Sequence, residues 1–325
     1  MRLTPQAVDA GQVARFAASL NALLPPALAG TARLGLAVSG GGDSMAMLVL
    51  AGAAFPGRVE AATVDHGLRP ESAGEAVMVG RACAALGVPH ETLKVAVADG
   101  NLQDAARTAR YAALSRWAEG RGLSALLTAH HADDQAETLL ARLNRASGVA
   151  GLAGVRSLGR VPGGRLPLLR PLLDWRRAEL AGVAAATGIV PIDDPSNRDA
   201  RFDRARIRAG LGGAEWIDVA ALARSAVHLA DADAALDWAT AREWRENVTP
   251  GALGSFVYKP TAPRAVALRV IALLVEKLDA TPPRGGGVAR VFEALLAGQP
   301  APIGNLIARP SPDGWVFMKA PQRRN

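Results

Sequence analysis

Apolar residues in the first half of the chain alternate between short unbroken runs and longer stretches with helical spacing. "RLGLAV" (33–38) is a strand-length apolar run, and "SMAMLVLAGAAF" (44–55) reads as the helix that follows it. The pairing recurs. "VEAATVDHG" (59–67), "HETLKVAV" (90–97) and "LSALLTAH" (123–130) read as strands. "ESAGEAVMVGRACAALG" (71–87), "NLQDAARTARYAALSRWAEGRG" (101–122) and "DDQAETLLARLNRASG" (133–148) read as helices, the first and last closed by Gly87 and Gly148. Ahead of them, Val13, Phe16, Leu20 and Leu23 mark one face of an amphipathic helix. Such alternation predicts an α/β fold: an open parallel sheet with right-handed crossovers and helices on both faces.

The pattern loosens after residue 150. Residues 151–173 are rich in Gly, Pro and Arg and read as loop with one short extended piece. A helix is expected over 174–188, then a loop running into a basic helix by 208. "GLGG" (210–213) punctuates the chain and sets the expected division: a catalytic domain over 1–212 and a smaller, mainly helical domain over 213–325. The latter should hold a long helix (215–246), two shorter ones (263–279, 287–297) and a terminal hairpin turning at Pro312–Asp313–Gly314.

Composition adds three constraints. The 325 residues suit two domains better than one. The single cysteine, Cys83, excludes an intrachain disulfide and any CxxC redox or metal motif, and fits a reducing compartment. A formal net charge of +7 points to a polyanionic partner, nucleic acid first. No segment reads as membrane-spanning. Arg15 and Asn21 interrupt the N-terminal apolar stretch, against a signal peptide, so a cytoplasmic location is expected and no membrane partner.

In open parallel sheets ligands bind outside the carboxyl ends of the strands, and three of these ends carry polar clusters. After the first strand comes "SGGGDS" (39–44), leading into a helix N-terminus. This is either a tight structural turn or an anion site, where backbone N–H groups and the helix dipole face a phosphate. Asp43, acidic beside phosphates, makes more sense as a Mg²⁺ ligand or a helix cap than as a phosphate contact. The GxxxxGK[ST] loop is absent, and the triplet does not fit GxGxxG. Asp65 and His66 close the second strand, where an adenosine would lie. His130, Asp134 and Glu137, spaced by four and three, follow the fourth. Together they could bind Mg²⁺, an ammonium or both, or they could be an acidic first turn favoured by the dipole. Arg107 and Arg110 share a helix face beside Tyr111 and could reach a triphosphate or an RNA backbone. Arg198, Arg201, Arg204, Arg206 and Arg208 form a dense basic run suited to phosphate contacts.

"SGGGDS" matches the SGGxDS signature of the PP-loop ATP pyrophosphatases, which cut ATP between the α- and β-phosphates. The resemblance implies that Ser39, Gly40, Gly41, Gly42 and Ser44 cradle pyrophosphate. The lone Cys83 argues against the sulfur-transferring members, leaving a nitrogen nucleophile. "VDHGLRPES" (64–72), "NLQDAARTARY" (101–111), "TAHHADDQAETLLARL" (128–143), "RPLL" (170–173) and "DDPSNRDARFDRARIR" (193–208) follow in order. Together they resemble tRNA(Ile)-lysidine synthetase over about residues 33–208, with Ala205 standing where that pattern has Asn.

The resemblance implies ATP as substrate, Mg²⁺ through Asp43 and Asp134, and two further substrates: L-lysine and tRNA(Ile) with a CAU anticodon. The implied reaction adenylates the wobble cytidine and then joins lysine to its C2. A homodimer is compatible with it. The competing readings are a PP-loop synthetase acting on a small molecule, and a nucleotide- or RNA-binding protein without catalysis.

Overall fold

A computed structural model describes residues 8–28, 30–67, 72–95, 102–192, 203–279 and 285–320. The chain forms two compact units, Met1–Ala230 and Asp231–Asn325, and the division falls inside the helix Val219–Asn247, past the "GLGG" stretch.

In the first unit a helix α1 (Ala10–Leu23) precedes β1 (Leu34–Ala37), α2 (Gly42–Ala54), β2 (Val59–Asp65), α3 (Ser72–Ala85), β3 (His90–Lys94), α4 (Leu102–Gly120), β4 (Ala125–Leu127) and α5 (Ala132–Leu143). Then come a one-turn α6 (Val149–Leu152), β5 (Leu158–Arg160), β6 (Pro167–Leu169), α7 (Arg177–Ala186) and α8 (Asp203–Gly212). The sheet order is β3-β2-β1-β4-β6-β5. Every pairing is parallel except β5 against β6, at the edge. The expected parallel sheet is therefore present, and the one short extended piece is in fact two three-residue strands.

The strands alternate their side chains between two apolar layers. Leu34, Leu36, Ala61, Ala125, Leu127 and Leu169 face a layer built from α1, α2, α3 and α7. Ala62, Leu126 and Leu168 face Leu114, Trp117 and Ala118 of α4. Burial on both faces explains why these strands read as continuous apolar runs. Gly35 in β1 is required by packing: a Cβ there would stand 2.8 Å from the Trp117 ring. From β1 the chain moves to β2 and β3 on one side, then crosses to β4 on the other. The order reverses between β1 and β4, and the crevice outside their carboxyl ends is where this architecture places ligands.

The second unit begins within α9 (Val219–Asn247). It continues through β7 (Val248–Pro250), β8 (Phe256–Tyr258), α10 (Arg264–Asp279), α11 (Gly285–Leu296), β9 (Ala301–Ile303), β10 (Leu306–Ser311) and β11 (Gly314–Lys319). The expected hairpin β10–β11 is the centre of a five-stranded antiparallel sheet, β7-β8-β11-β10-β9. Tyr258, Leu306 and Phe317 of this sheet pack on Val270, Leu274 and Phe292 of the two helices. Glu243, buried in this unit, accepts the Tyr258 hydroxyl, the Thr261 and Ala262 N–H groups, the Thr261 hydroxyl and the Asn247 amide.

Candidate active site

The glycine triplet after β1 divides its work. Gly40 has φ +87°, a conformation that glycine adopts at little cost. Its carbonyl accepts the Ile192 N–H at 3.0 Å, and a Cβ there would fall inside contact distance of Ile192 Cδ1. Gly41 caps α2 with ordinary extended dihedrals and no side-chain hydrogen bond. A Cβ at Gly41 or Gly42 would meet nothing closer than 3.7 Å. The turn is held from within: Ser44 Oγ donates to the Gly41 carbonyl at 2.9 Å, and the Ser39 N–H donates to Ser44 Oγ at 3.2 Å. Helix geometry leaves the N–H groups of Gly42, Asp43 and Ser44 without intrahelical acceptors, at the positive end of the α2 dipole.

This turn opens onto a cavity of about 600 Å³ in the first unit. Ser39, Gly41, Asp43 and Ser44 line it from β1, His66 from the end of β2, and Arg107, Arg110 and Tyr111 from α4. Thr128, His130 and Asp134 line it from the end of β4, and Arg204 from α8. Gly40 and Gly42 shape the turn without lining the cavity. Asp65 turns back to accept the Gly67 N–H at 2.9 Å and does not line it either. The guanidiniums of Arg107 and Arg110 lie 5.0 and 6.0 Å from the Tyr111 ring centroid, which gives this wall a cationic, aromatic character.

Two adjacent histidines have opposite electrostatics. The His130 ring exchanges a hydrogen bond with Thr128 Oγ1 at 3.0 Å. Burial depresses its pKa to about 4; Asp134 opposes this, while Arg170, Arg204 and Arg107 add to it. It is a neutral imidazole at physiological pH. His131 precedes α5 and is 1% exposed. Its Nε2 lies 3.3 Å from Asp43 Oδ2 and 3.5 Å from Asp134 Oδ2, and its Nδ1 lies 3.6 Å from Asp133 Oδ2. These are charge contacts longer than good hydrogen bonds. Burial alone would lower its pKa, but Asp133, Asp43 and Asp134 outweigh it and raise the value to about 9. His131 is thus a buried cation joining the β1 turn to the β4 turn.

His131 is absent from the residues expected from the sequence. The available signal was its place directly before "ADD", where a helix begins. Asp134 also accepts the His131 N–H at 3.1 Å, so the acidic first turn caps α5 as well as lining the cavity. Asp133 does not line the cavity; it bonds Arg176 and the Arg177 N–H, and although burial would raise its pKa, His131, Arg176 and the Arg177 N–H outweigh it and hold the carboxyl well below the usual range.

Besides Asp65, three expected residues are placed otherwise. Glu137, expected beside the amine, does not line the cavity. It is 1% exposed, and its oxygens bind Arg208 at 2.7 and 3.1 Å and Arg177 at 3.2 Å. Arg208, expected on RNA, is committed to this pair. Arg206 pairs with Asp203 on the surface of α8. Arg198 and Arg201 lie outside the described residues.

Among the described residues no three His, Cys, Asp or Glu side chains are arranged to hold a metal by themselves. Asp43 and Asp134 do approach the same imidazole nitrogen at the cavity wall. Mg²⁺ is commonly held by one or two carboxylates plus substrate phosphates, and this pair beside the N-terminus of α2 fits that use.

A parallel sheet with a Ser-Gly-Gly-Gly-Asp-Ser turn leading into a helix N-terminus at its switch point defines a PP-loop nucleotide-binding protein, and the family model described as a PP-loop domain matches residues 12–214. The chain is similar to the tRNA(Ile)-lysidine synthase of Novosphingobium aromaticivorans, with 45% identity over 318 residues, covering 97% of this chain and 96% of that one. It is 37% identical over 314 residues to the tRNA(Ile)-lysidine synthase of Zymomonas mobilis, covering 95% and 94%. Among solved structures, the U34-tRNA thiolase NcsA from Methanococcus maripaludis superposes with a TM-score of 0.54 at 14% identity. That match covers 67% of this chain and 78% of the thiolase, a likeness of fold alone. The chain belongs to the tRNA(Ile)-lysidine synthase family, as the ordered motifs anticipated.

Proposed function

We propose that the protein is an ATP-dependent carbon–nitrogen ligase that joins L-lysine to C2 of the wobble cytidine of tRNA(Ile) with a CAU anticodon. Cytosine O2 attacks the α-phosphorus of ATP and pyrophosphate leaves. The lysine ε-amine, having lost a proton, then attacks C2, and AMP departs with the oxygen it activated. The observation that carries this reading is the convergence on one cavity of the β1 turn, the carboxylate and imidazole after β4, and the cationic wall of α4.

Each group has a definable task. The N–H groups after Gly41, with Ser39 and Ser44, receive the departing pyrophosphate, a fixed set of donors aimed where charge develops. Arg107 and Arg110 offset the remaining phosphate charge. His66, which lines the cavity beside the end of β2, is assigned to the adenosine. Asp134 attracts the ammonium of lysine, and His130 beside it lies at the point where the proton must leave. Mg²⁺, held by Asp43 and Asp134 when bound, would neutralise phosphate oxygens. The positive net charge and Arg204 favour an RNA backbone near the cavity.

Pyrophosphate release from ATP, measured with lysine in the presence and absence of the tRNA transcript, tests the reading. Release that depends on the CAU-anticodon tRNA is the expected result; tRNA-independent release would favour a small-molecule acceptor. Asp43→Ala should cut turnover by about a hundredfold or more in a protein still folded by circular dichroism, with a melting temperature lowered by the loss of a carboxylate beside the buried His131. Near-normal turnover in that variant would falsify its role.

A further inference from the structure

The pair that removes Glu137 and Arg208 from the cavity also answers a different question: what holds α8 in place. No side chain of α8 is fully buried; Ala205, Ile207 and Leu211 are only half-buried, so apolar packing holds the helix weakly. Its ion pair from Asp203 to Arg145, at 2.6 Å, joins two exposed side chains, a class of contact that adds little. The bond from Arg208 to Glu137 is of another kind. It is bidentate, on a carboxylate that is 1% exposed and also bound by Arg177 at the start of α7. A buried charge that loses its partner is costly, so this contact resists opening. Arg204 lies one turn before Arg208, on the same face of α8, and it lines the cavity beside His130 and Asp134.

Resting on the functional reading above, we infer that Glu137 and Arg208 are positioning residues. They form a buried clasp between α5 and α8 that holds Arg204 at the cavity, where it takes a phosphate of the bound RNA. Arg208 itself does not touch RNA, and Glu137 does not touch lysine.

The test is steady-state kinetics on the full chain with the CAU-anticodon tRNA, ATP and lysine. Arg204→Ala should raise the KM for tRNA about tenfold, the scale of one lost charge-assisted contact. It should leave the KM values for ATP and lysine within about twofold. Arg208→Ala should give the same pattern. The double variant should be no worse than Arg204→Ala alone, because Arg208 acts only through Arg204. Glu137→Gln, which keeps the shape and loses the charge, should shift the same KM by less. If Arg208→Ala does not fold by circular dichroism, Arg208→Lys replaces it, with a smaller rise in the same constant expected. Multiplying effects in the double variant would overturn the clasp, because Arg208 would then touch RNA itself. A lower lysine KM in Arg208→Ala would also overturn it. So would a Glu137→Gln enzyme that forms adenylated tRNA but adds no lysine, because Glu137 would then be the ammonium site. A wild-type protein that releases no pyrophosphate with tRNA would sink the functional reading and the clasp together.

Discussion

If the glycine triplet divides its work between shape and open space, the three positions should fail differently. Gly40→Ala puts a Cβ on a residue at φ +87° and drives it into Ile192 Cδ1. A left-handed backbone costs a non-glycine residue about 1–2 kcal/mol. Displacing the Ile192 side chain from its rotamer adds about 0.5–1.5 kcal/mol. The sum, about 1.5–3.5 kcal/mol, should lower the melting temperature of a unit this size by about 3–14 °C. Gly41→Ala meets neither problem, because φ is −69° and the nearest atom, Ser39 Oγ, is 3.7 Å away. Its melting temperature should stay within about 1 °C of wild type. Its methyl group does, however, enter the cavity wall. Wild-type protein with ATP at a hundred times Kd should gain about 2.7 kcal/mol of stability, and Gly41→Ala should lose most of that gain. Thermal unfolding followed by circular dichroism, with and without ATP, measures both quantities. The reverse pattern, with Gly41→Ala melting early yet gaining normally from ATP and Gly40→Ala melting with wild type, would refute the division.

Two further predictions concern buried groups outside the cavity. Glu243→Gln should destabilise the second unit by about 2 kcal/mol at pH 7, because one carboxylate serves Tyr258, Thr261, Ala262 and Asn247. Burial alone would raise the Glu243 pKa, but the donors from Thr261, Ala262 and Tyr258 outweigh it and lower it. Its stabilisation is therefore complete above the unfolded carboxylate range and disappears as pH falls through the depressed folded value, so wild type and variant should converge in acid. Cys83 is fully buried and burial pushes its thiol up to about 12, so native protein should resist alkylation at pH 8 and react once urea unfolds the first unit; rapid labelling of the native state would contradict this.

The parallel sheet was legible because β1, β2 and β4 are buried on both faces and leave unbroken apolar runs. The missed elements have a common cause. β5 to β9 are three residues each, too short to display a period, and their pairing is set by register with distant partners. Within the site, Ser39–Ser44, His66, His130 and Asp134 could be found because the sheet rule fixes where strand ends point. Glu137 could not be placed in the same way. Its spacing from Asp134 gives a helix face, but what meets that face comes from Arg177, 40 residues on, and Arg208, 71 residues on. Local spacing carries no information about such partners. His131 was hidden by its neighbour: of two adjacent histidines, only the backbone geometry at the start of α5 decides which one enters the cavity and which is buried against carboxylates.

That geometry also explains how one sheet can serve a reaction with two chemically different halves. In the proposed reaction pyrophosphate leaves at the turn after β1, where the backbone N–H groups among the donors cannot be retuned by changing a side chain. In the same proposal the amine is handled after β4, where the groups are side chains, a carboxylate and an imidazole. β1 and β4 are hydrogen-bonded neighbours, so the two turns start about 4.8 Å apart. Both halves act on atoms bonded to one oxygen, the cytosine O2 that first attacks phosphorus and then leaves with AMP, so the turns must stay close and in fixed register. The sheet fixes their roots, and His131 fixes their tips through Asp43 on one side and Asp133 and Asp134 on the other. Asp133 is tied in turn to Arg176 and to the backbone of Arg177, so the bridge is anchored to α7 rather than floating between two loops. In the proposed reaction, then, a histidine outside the cavity lining stands between the two turns that would handle the two halves of the chemistry.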